Sequence, residues 1–153
     1  MNSSPFQIVL VDPEIPPNTG NIARTCAATG TPLHLVGALG FQLSDKYLKR
    51  AGLDYWEHVN LHYHPDFASF RQQSQSRLVF TSARRGQPVW DFTFAPGDCL
   101  VFGSESQGLP ADLLDSAENI VTIPIFGAVR SLNLANAVAV ILFEGLRQLR
   151  PRQ

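Results

Sequence analysis

Three short stretches of this chain carry the residue types that could do chemistry. In the first, Asn18, Gly20, Asn21 and Arg24 follow closely on the apolar run Phe6–Val11. Gly20 lets a backbone or a ligand approach closely, and Asn18 and Asn21 can hydrogen-bond it. Arg24, one helical turn beyond Asn21, projects from the same face. The stretch reads equally as a capped helix with a surface arginine, since Asn is an ordinary N-cap. The second, Gly103-Ser-Glu105-Ser-Gln-Gly108-Leu-Pro110, sets two glycines and two serines around one acid directly after the apolar run Cys99–Phe102. That composition suits a tight turn against a bound molecule, with a solvated Glu105 as the plainer alternative. The third, Arg130-Ser131-Leu-Asn133, crowds polar groups into the start of the last predicted helix, where free backbone N–H groups make a ligand site plausible.

These stretches need a frame, and the chain supplies one by alternating strands and helices. Apolar runs predict strands at Phe6–Val11, Pro32–Gly37, Arg77–Thr81, Cys99–Phe102 and Asn119–Pro124. Val59, Leu61 and Tyr63 alternate with Asn60, His62 and His64 as in a half-exposed strand. Helices are predicted from Asn18, as N-cap, to Thr29 before Gly30; from Asp45 to Ala51 between Ser44 and Gly52; and from Pro65-Asp66 with Phe67 and Phe70 inside. Two more run over Pro110–Ser116 and, with Ser131 as N-cap, over Leu132–Leu149. The prolines flanking Trp90, Phe92 and Phe94 leave that segment's class open. The pattern describes one α/β domain over residues 1–153, a mostly parallel sheet with helices on both faces. All three chemical stretches then fall at the C-terminal ends of strands, the usual ligand position in such sheets. The last helix carries Leu134, Ala135, Val138, Ala139, Ile141 and Leu142 on more than one face, so we expect the sheet on one side and a second subunit on the other.

The totals exclude several classes. A net charge of −1 with 16% charged residues gives no general field toward nucleic acid or membrane, so RNA contacts would rest on local clusters such as Lys46, Lys49 and Arg50 or Arg84 and Arg85. Cys26 and Cys99 are far apart and form no CxxC, which fits structural thiols in a reducing, cytoplasmic setting. No apolar run reaches membrane-spanning length and no signal peptide is evident. His62 and His64 would share a strand face, but no third ligand presents itself, so no metal site is expected. GxGxxG, GxxxxGK[ST] and HExxH are absent, as are an acid pair and a Ser–His set.

Taken together, Asn18-x-Gly20-Asn21-Ile-x-Arg24, Phe102-Gly103-x-Glu105-x-x-Gly108-Leu-Pro110, and Ile123-Pro124 followed by Arg130-Ser131-Leu-Asn133 resemble the three motifs of the SPOUT superfamily of RNA methyltransferases. Arg50-Ala-Gly-Leu-Asp-Tyr-Trp56 and the lack of an appended RNA-binding domain make the chain most similar to the small tRNA wobble-nucleotide 2′-O-ribose methyltransferases. The resemblance covers nearly the whole chain. It implies a C-terminal trefoil knot, a homodimer, S-adenosylmethionine as cofactor and the tRNA anticodon stem-loop as partner. It also implies cofactor contacts from Thr81 or Ser82, Gly103, Ile123, Ser131 and Leu132, with Arg24 activating the ribose hydroxyl and Asn18, Glu105, Ser131 and Asn133 holding the site. A guanidinium is a poor general base near neutrality, so orienting phosphate or stabilising an alkoxide is the easier role for Arg24. The same superfamily acting on another tRNA or rRNA position, or a non-catalytic RNA binder on the same fold, are the alternatives.

Overall fold

The computed structural model describes residues 4–43 and 53–150. Seven strands form one sheet, β1 (Gln7–Val11), β2 (Leu33–Val36), β3 (Leu61–His64), β4 (Leu78–Thr81), β5 (Gln87–Pro88), β6 (Cys99–Phe102) and β7 (Ile120–Thr122), in the order β3-β2-β1-β6-β4-β7-β5. Every pairing is parallel. The helices are α1 (Pro16–Thr29), α2 (Phe67–Gln73), α3 (Ala111–Asp115) and α4 (Leu134–Leu149), with short 3-10 turns at Leu53–His58 and Val89–Asp91.

Strand alternation divides the core in two. Ile8, Leu10, Leu33, Leu35, Leu100 and Phe102 face α1 and α4, which contribute Ile22, Cys26, Val138, Ile141 and Leu142. Val9, Val11, Val36, Val101 and Phe80 face the other way, against Phe70 of α2 and Leu109. Both faces of the central strands are therefore covered, which is why those strands read as continuous apolar runs rather than as alternating ones.

Four expectations needed correction or fell outside the described residues. Helix α1 begins at Pro16, with Ile15 rather than Asn18 at the N-cap, because Pro16-Pro17 already fixes helical φ and lacks the N–H groups a cap would satisfy. Helix α4 begins at Leu134, and Asn133 rather than Ser131 caps it. The third correction is at the end of β3: Val59 and Leu61 are partly buried and His62 exposed as expected, but Tyr63 is exposed and His64 buried. Pairing of β3 with β2 sets Val36 opposite His64, and the His64 ring lies against His34 and Phe70. The helix expected at Asp45–Ala51, with its Ser44 cap and the Lys46, Lys49 and Arg50 cluster, lies outside the described residues.

His34 Nε2 meets Gln7 Oε1 at 2.6 Å and its Nδ1 meets His64 Nε2 at 3.0 Å. Burial first, and then the neighbouring His62 and His64, push its pKa down to about 4. Neutral imidazoles in a hydrogen-bonded row are the result. Among the described residues no group of three or more His, Cys, Asp or Glu is arranged to hold a metal ion.

Candidate active site

The three stretches meet beyond the C-terminal ends of β1, β6 and β7. Helix α1 has no cap of its own, and Glu105 from the β6–α3 loop supplies one. Its carboxylate accepts from the backbone N–H of Glu14 at 2.9 Å and of Ile15 at 2.6 Å, and from Asn18 Nδ2 at 3.4 Å. The contact is reciprocated: the Glu14 carboxylate accepts from Ser106 Oγ at 2.6 Å and from its backbone N–H at 3.3 Å. The Ser106 hydroxyl, with Ser104 and the Ser106 amide, holds the Glu14 carboxyl below its usual range.

Asn18, buried in the first turn of α1, continues the chain of contacts. Its Oδ1 accepts from Asn133 Nδ2 at 3.0 Å. Asn133 Oδ1 in turn accepts from the N–H groups of Ala135 and Asn136 at 2.9 and 3.3 Å, capping α4. Glu105, Asn18 and Asn133 thus form one relay across segments far apart in sequence. Each amide turns its carbonyl one way and its NH2 the other, so register among the three loops is fixed by donor–acceptor direction as well as distance.

The remaining predicted residues are placed as follows. Arg24 stands exposed farther along α1 with its guanidinium 4.7 Å from the centre of the Tyr55 ring, a cation–π contact that orients a long side chain without consuming its outward donors. Ser131 is exposed two residues before the α4 cap, and Leu132 is also exposed. Ile123 packs half-buried on the core. Thr81 donates its hydroxyl to the Val101 carbonyl at 2.9 Å, so it ties β4 to β6. The Ser82 hydroxyl accepts from the N–H groups of Arg84 and Arg85 at 3.2 and 3.3 Å, which leaves its own proton available for a ligand. Of the two candidates, Ser82 is therefore the better placed.

Gly103 has a structural reason besides the one expected. A Cβ there would collide with the backbone of Gly108 and Leu109, because the loop closes on itself through an antiparallel bridge between Ser104 and Gly108. The glycine is required by the chain's own crossing. Two contributors escaped the sequence reading. Glu14 gave no signal beyond its place before a diproline, and Tyr55 was visible only as part of the Arg50–Trp56 stretch.

The chemistry of the donor set suits a nucleoside-like cofactor. Among the described residues, no backbone N–H or C=O from Ile123 to Leu132 pairs with another protein group. A loop with that many open donors and acceptors, beside the Ser82 hydroxyl and the apolar Ile123, can bond the edge of a purine while covering its faces.

Comparison with known proteins identifies the family. Residues 5–143 match the SpoU rRNA Methylase family. The chain belongs to that family. A Burkholderia ambifaria protein named tRNA (cytidine(34)-2'-O)-methyltransferase is 47% identical over 148 residues, 94% of this chain and 95% of its own. A solved structure concerned with the 2-OH methylation of C/U34 on tRNA superposes with a TM-score of 0.92 at 50% identity, covering 96% of this chain and 97% of that one. An AdoMet-bound rRNA methyltransferase from Sinorhizobium meliloti superposes with a TM-score of 0.85 at 26% identity, covering 98% of this chain and 59% of its own. The seven-stranded parallel sheet matches the fold of these SpoU neighbours.

Proposed function

We propose that this chain methylates the ribose 2′-hydroxyl of the wobble nucleotide, cytidine or modified uridine 34, in the tRNA anticodon loop, with S-adenosylmethionine as methyl donor. The observation that carries the reading is the Glu105–Asn18–Asn133 relay, which joins the three family motifs at one end of the sheet. When bound, the cofactor supplies an electrophilic methyl group already attached to a good leaving group. The protein's task is then alignment, and alignment can supply much of the rate.

Each residue has a part in that task. Glu105, Asn18 and Asn133 fix the loops, while Ser82, Ile123, Ser131, Leu132 and the Gly103 turn form the cofactor's surroundings, with Thr81 behind them. Arg24, steered by Tyr55, orients a phosphate or stabilises the developing alkoxide. The reading includes a C-terminal trefoil knot, with the segment after β7 threaded behind the Gly103–Leu109 loop, and a cytoplasmic setting in which the buried Cys26 and Cys99 remain thiols. Among the described residues no helix is long and apolar enough to cross a membrane. It also includes a homodimer: Val140 and Phe143 are exposed on α4 while its opposite side, Val138, Ile141 and Leu142, is in the core, so a second copy is the natural cover.

The deciding experiment is methyl transfer from labelled cofactor to isolated tRNA fractions, with the modified nucleotide mapped. Label appearing at any position other than 34 would refute the assignment. Arg24→Ala should abolish turnover while S-adenosylhomocysteine, titrated by calorimetry, binds as in the unsubstituted protein. Parallel loss of cofactor binding would remove Arg24 from its substrate-side role.

A further inference from the structure

The phenylalanine contacts around Phe94 in the core meet at a steep angle. Phe6 meets Phe94 at 81° and Phe92 meets Phe94 at 71°, the edge-to-face geometry of a closed interior. Trp90 and Phe126 behave differently. Their rings are parallel to within 5°, with centroids 6.3 Å apart, and they are 55% and 88% exposed. A protein that buries most of its large apolar side chains places these two with parallel rings in solvent, where hydrophobic burial gives neither a reason to be.

Their position suggests a use. The edge strand β5 and its neighbour β7 run parallel with Pro88 opposite Thr122, so Val89-Trp90 and Ile123–Phe126 leave the sheet side by side at the same end. Ile123 and Ser82, both assigned to the cofactor's surroundings, lie at this edge, where Ser82 N–H donates to the Val121 carbonyl at 3.0 Å. Exposed arginines neighbour the pair along the chain: Arg84 and Arg85 precede β5, with Arg85 paired to Asp115 at 3.1 Å, and Arg130 follows Phe126 in the same loop. Open π-faces among cations are the combination that grips single-stranded nucleic acid, with stacking for the bases and charge for the phosphates. Duplex RNA, whose bases are already stacked, offers no face to such a surface.

We infer that Trp90 and Phe126 form a stacking platform for an unpaired base of the RNA substrate, a neighbour of the nucleotide to be methylated. The inference rests on the anticodon-loop reading above and adds a base-contacting element to it. Stacking is sequence-tolerant, since every base has a π-face, so the platform positions the loop rather than reading its sequence.

Fluorescence tests this directly. The chain has two tryptophans, so Trp56→Phe leaves Trp90 as sole reporter. Adding a synthetic anticodon stem-loop RNA should quench it, and a blunt duplex of the stem alone should not. Trp90→Ala and Phe126→Ala should each raise the stem-loop Kd about 5- to 150-fold, the range equivalent to one base–aromatic stack. Trp90→Phe should restore most of the affinity, and S-adenosylhomocysteine binding should be unchanged in the Trp90 variants. An unaltered Kd in both alanine variants overturns the platform, as does equal quenching by the duplex. So does a fall in sedimenting mass in those variants, which would assign the surface to a second copy of the chain. Failure of the unsubstituted protein to bind S-adenosylhomocysteine would instead strike the methyltransferase reading, and the platform with it.

Discussion

Helices α1 and α4 begin at the same end of the molecule and are capped in opposite ways. Helix α4 is self-contained: Asn133 accepts from the N–H groups of Ala135 and Asn136, a cap any isolated peptide of this sequence could form. Helix α1 has no side-chain cap of its own. Its entry is held by Glu105, about ninety residues later in the chain. The diproline at its start removes two orphan donors, moves the unsatisfied N–H groups back to Glu14 and Ile15, and leaves them to a distant carboxylate. One helix start is thus local, and the other exists in its final form only when the β6–α3 loop has closed. Asn18 connects the two, so an error at either start is passed to the other.

The largest test of this contrast is Glu105→Ala. It strands two backbone donors and releases Asn18, and should lower stability by about 2–3 kcal/mol, the scale of hydrogen bonds to a charged group. Chemical denaturation would measure that loss. Methyl transfer should fall further, on the order of a hundredfold, because displaced loops cost alignment. Stability near that of the unsubstituted protein would show that α1 does not depend on its remote cap.

Asn133 separates the two functions of one side chain. Asn133→Ala should cost about 1 kcal/mol through loss of the α4 cap. Asn133→Asp keeps an acceptor for the cap but cannot donate to Asn18, so it should fold almost normally and turn over slowly. If the two variants are indistinguishable in turnover and in denaturation midpoint, the link through Asn18 carries no function.

Gly145, far from both caps, provides a control in the middle of α4. A Cβ there would come 2.7 Å from the buried Phe6 ring. Helix propensity favours Ala over Gly by about 1 kcal/mol, while overpacking costs about 1–3 kcal/mol, so Gly145→Ala should be destabilising on balance despite improving the helix. A raised melting temperature would show that Phe6 yields and that α4 is governed by local propensity even in its interior.

The smallest effect concerns acid. The Glu14 carboxyl, held below its ordinary 4.5 by Ser106 and Ser104, binds protons less readily folded than unfolded. Its contribution is therefore complete above about pH 4.5 and is lost as pH falls through the lowered folded value. Acidification should increase hydrogen exchange at the Ser106 amide, which donates to this carboxylate, before it affects Ala135, which donates to an amide oxygen that does not titrate. Glu14→Gln should abolish the difference. Simultaneous exposure of both amides would mean that the two starts open as one unit.

Much of this was legible in the chain as written. Apolar runs identified the main strands because both faces of a central parallel sheet are covered, and the motif resemblance placed Asn18, Glu105 and Asn133, with Arg24 and Ser131, among the site residues. Less legible was what each residue does there. Asn18 and Ser131 have the chemistry of caps and stand where caps are expected, but prolines displaced one and Asn133 took the place of the other. Gly103 looked like room for a ligand, and the structure adds a second reason for it, room for the loop's own backbone. The β3 alternation held through Leu61 and His62 and failed only at Tyr63 and His64, since an edge strand's apolar pattern is weak and His64 found cover against His34 and Phe70.

Local order along the chain therefore determined the elements and the list of polar residues at their ends, because propensity and periodicity act over a few residues. Only the tertiary structure decided which donor met which acceptor. A carboxylate and the amides it accepts from can be ninety residues apart, and no short-range rule specifies such a pair until the sheet has brought both ends of it together.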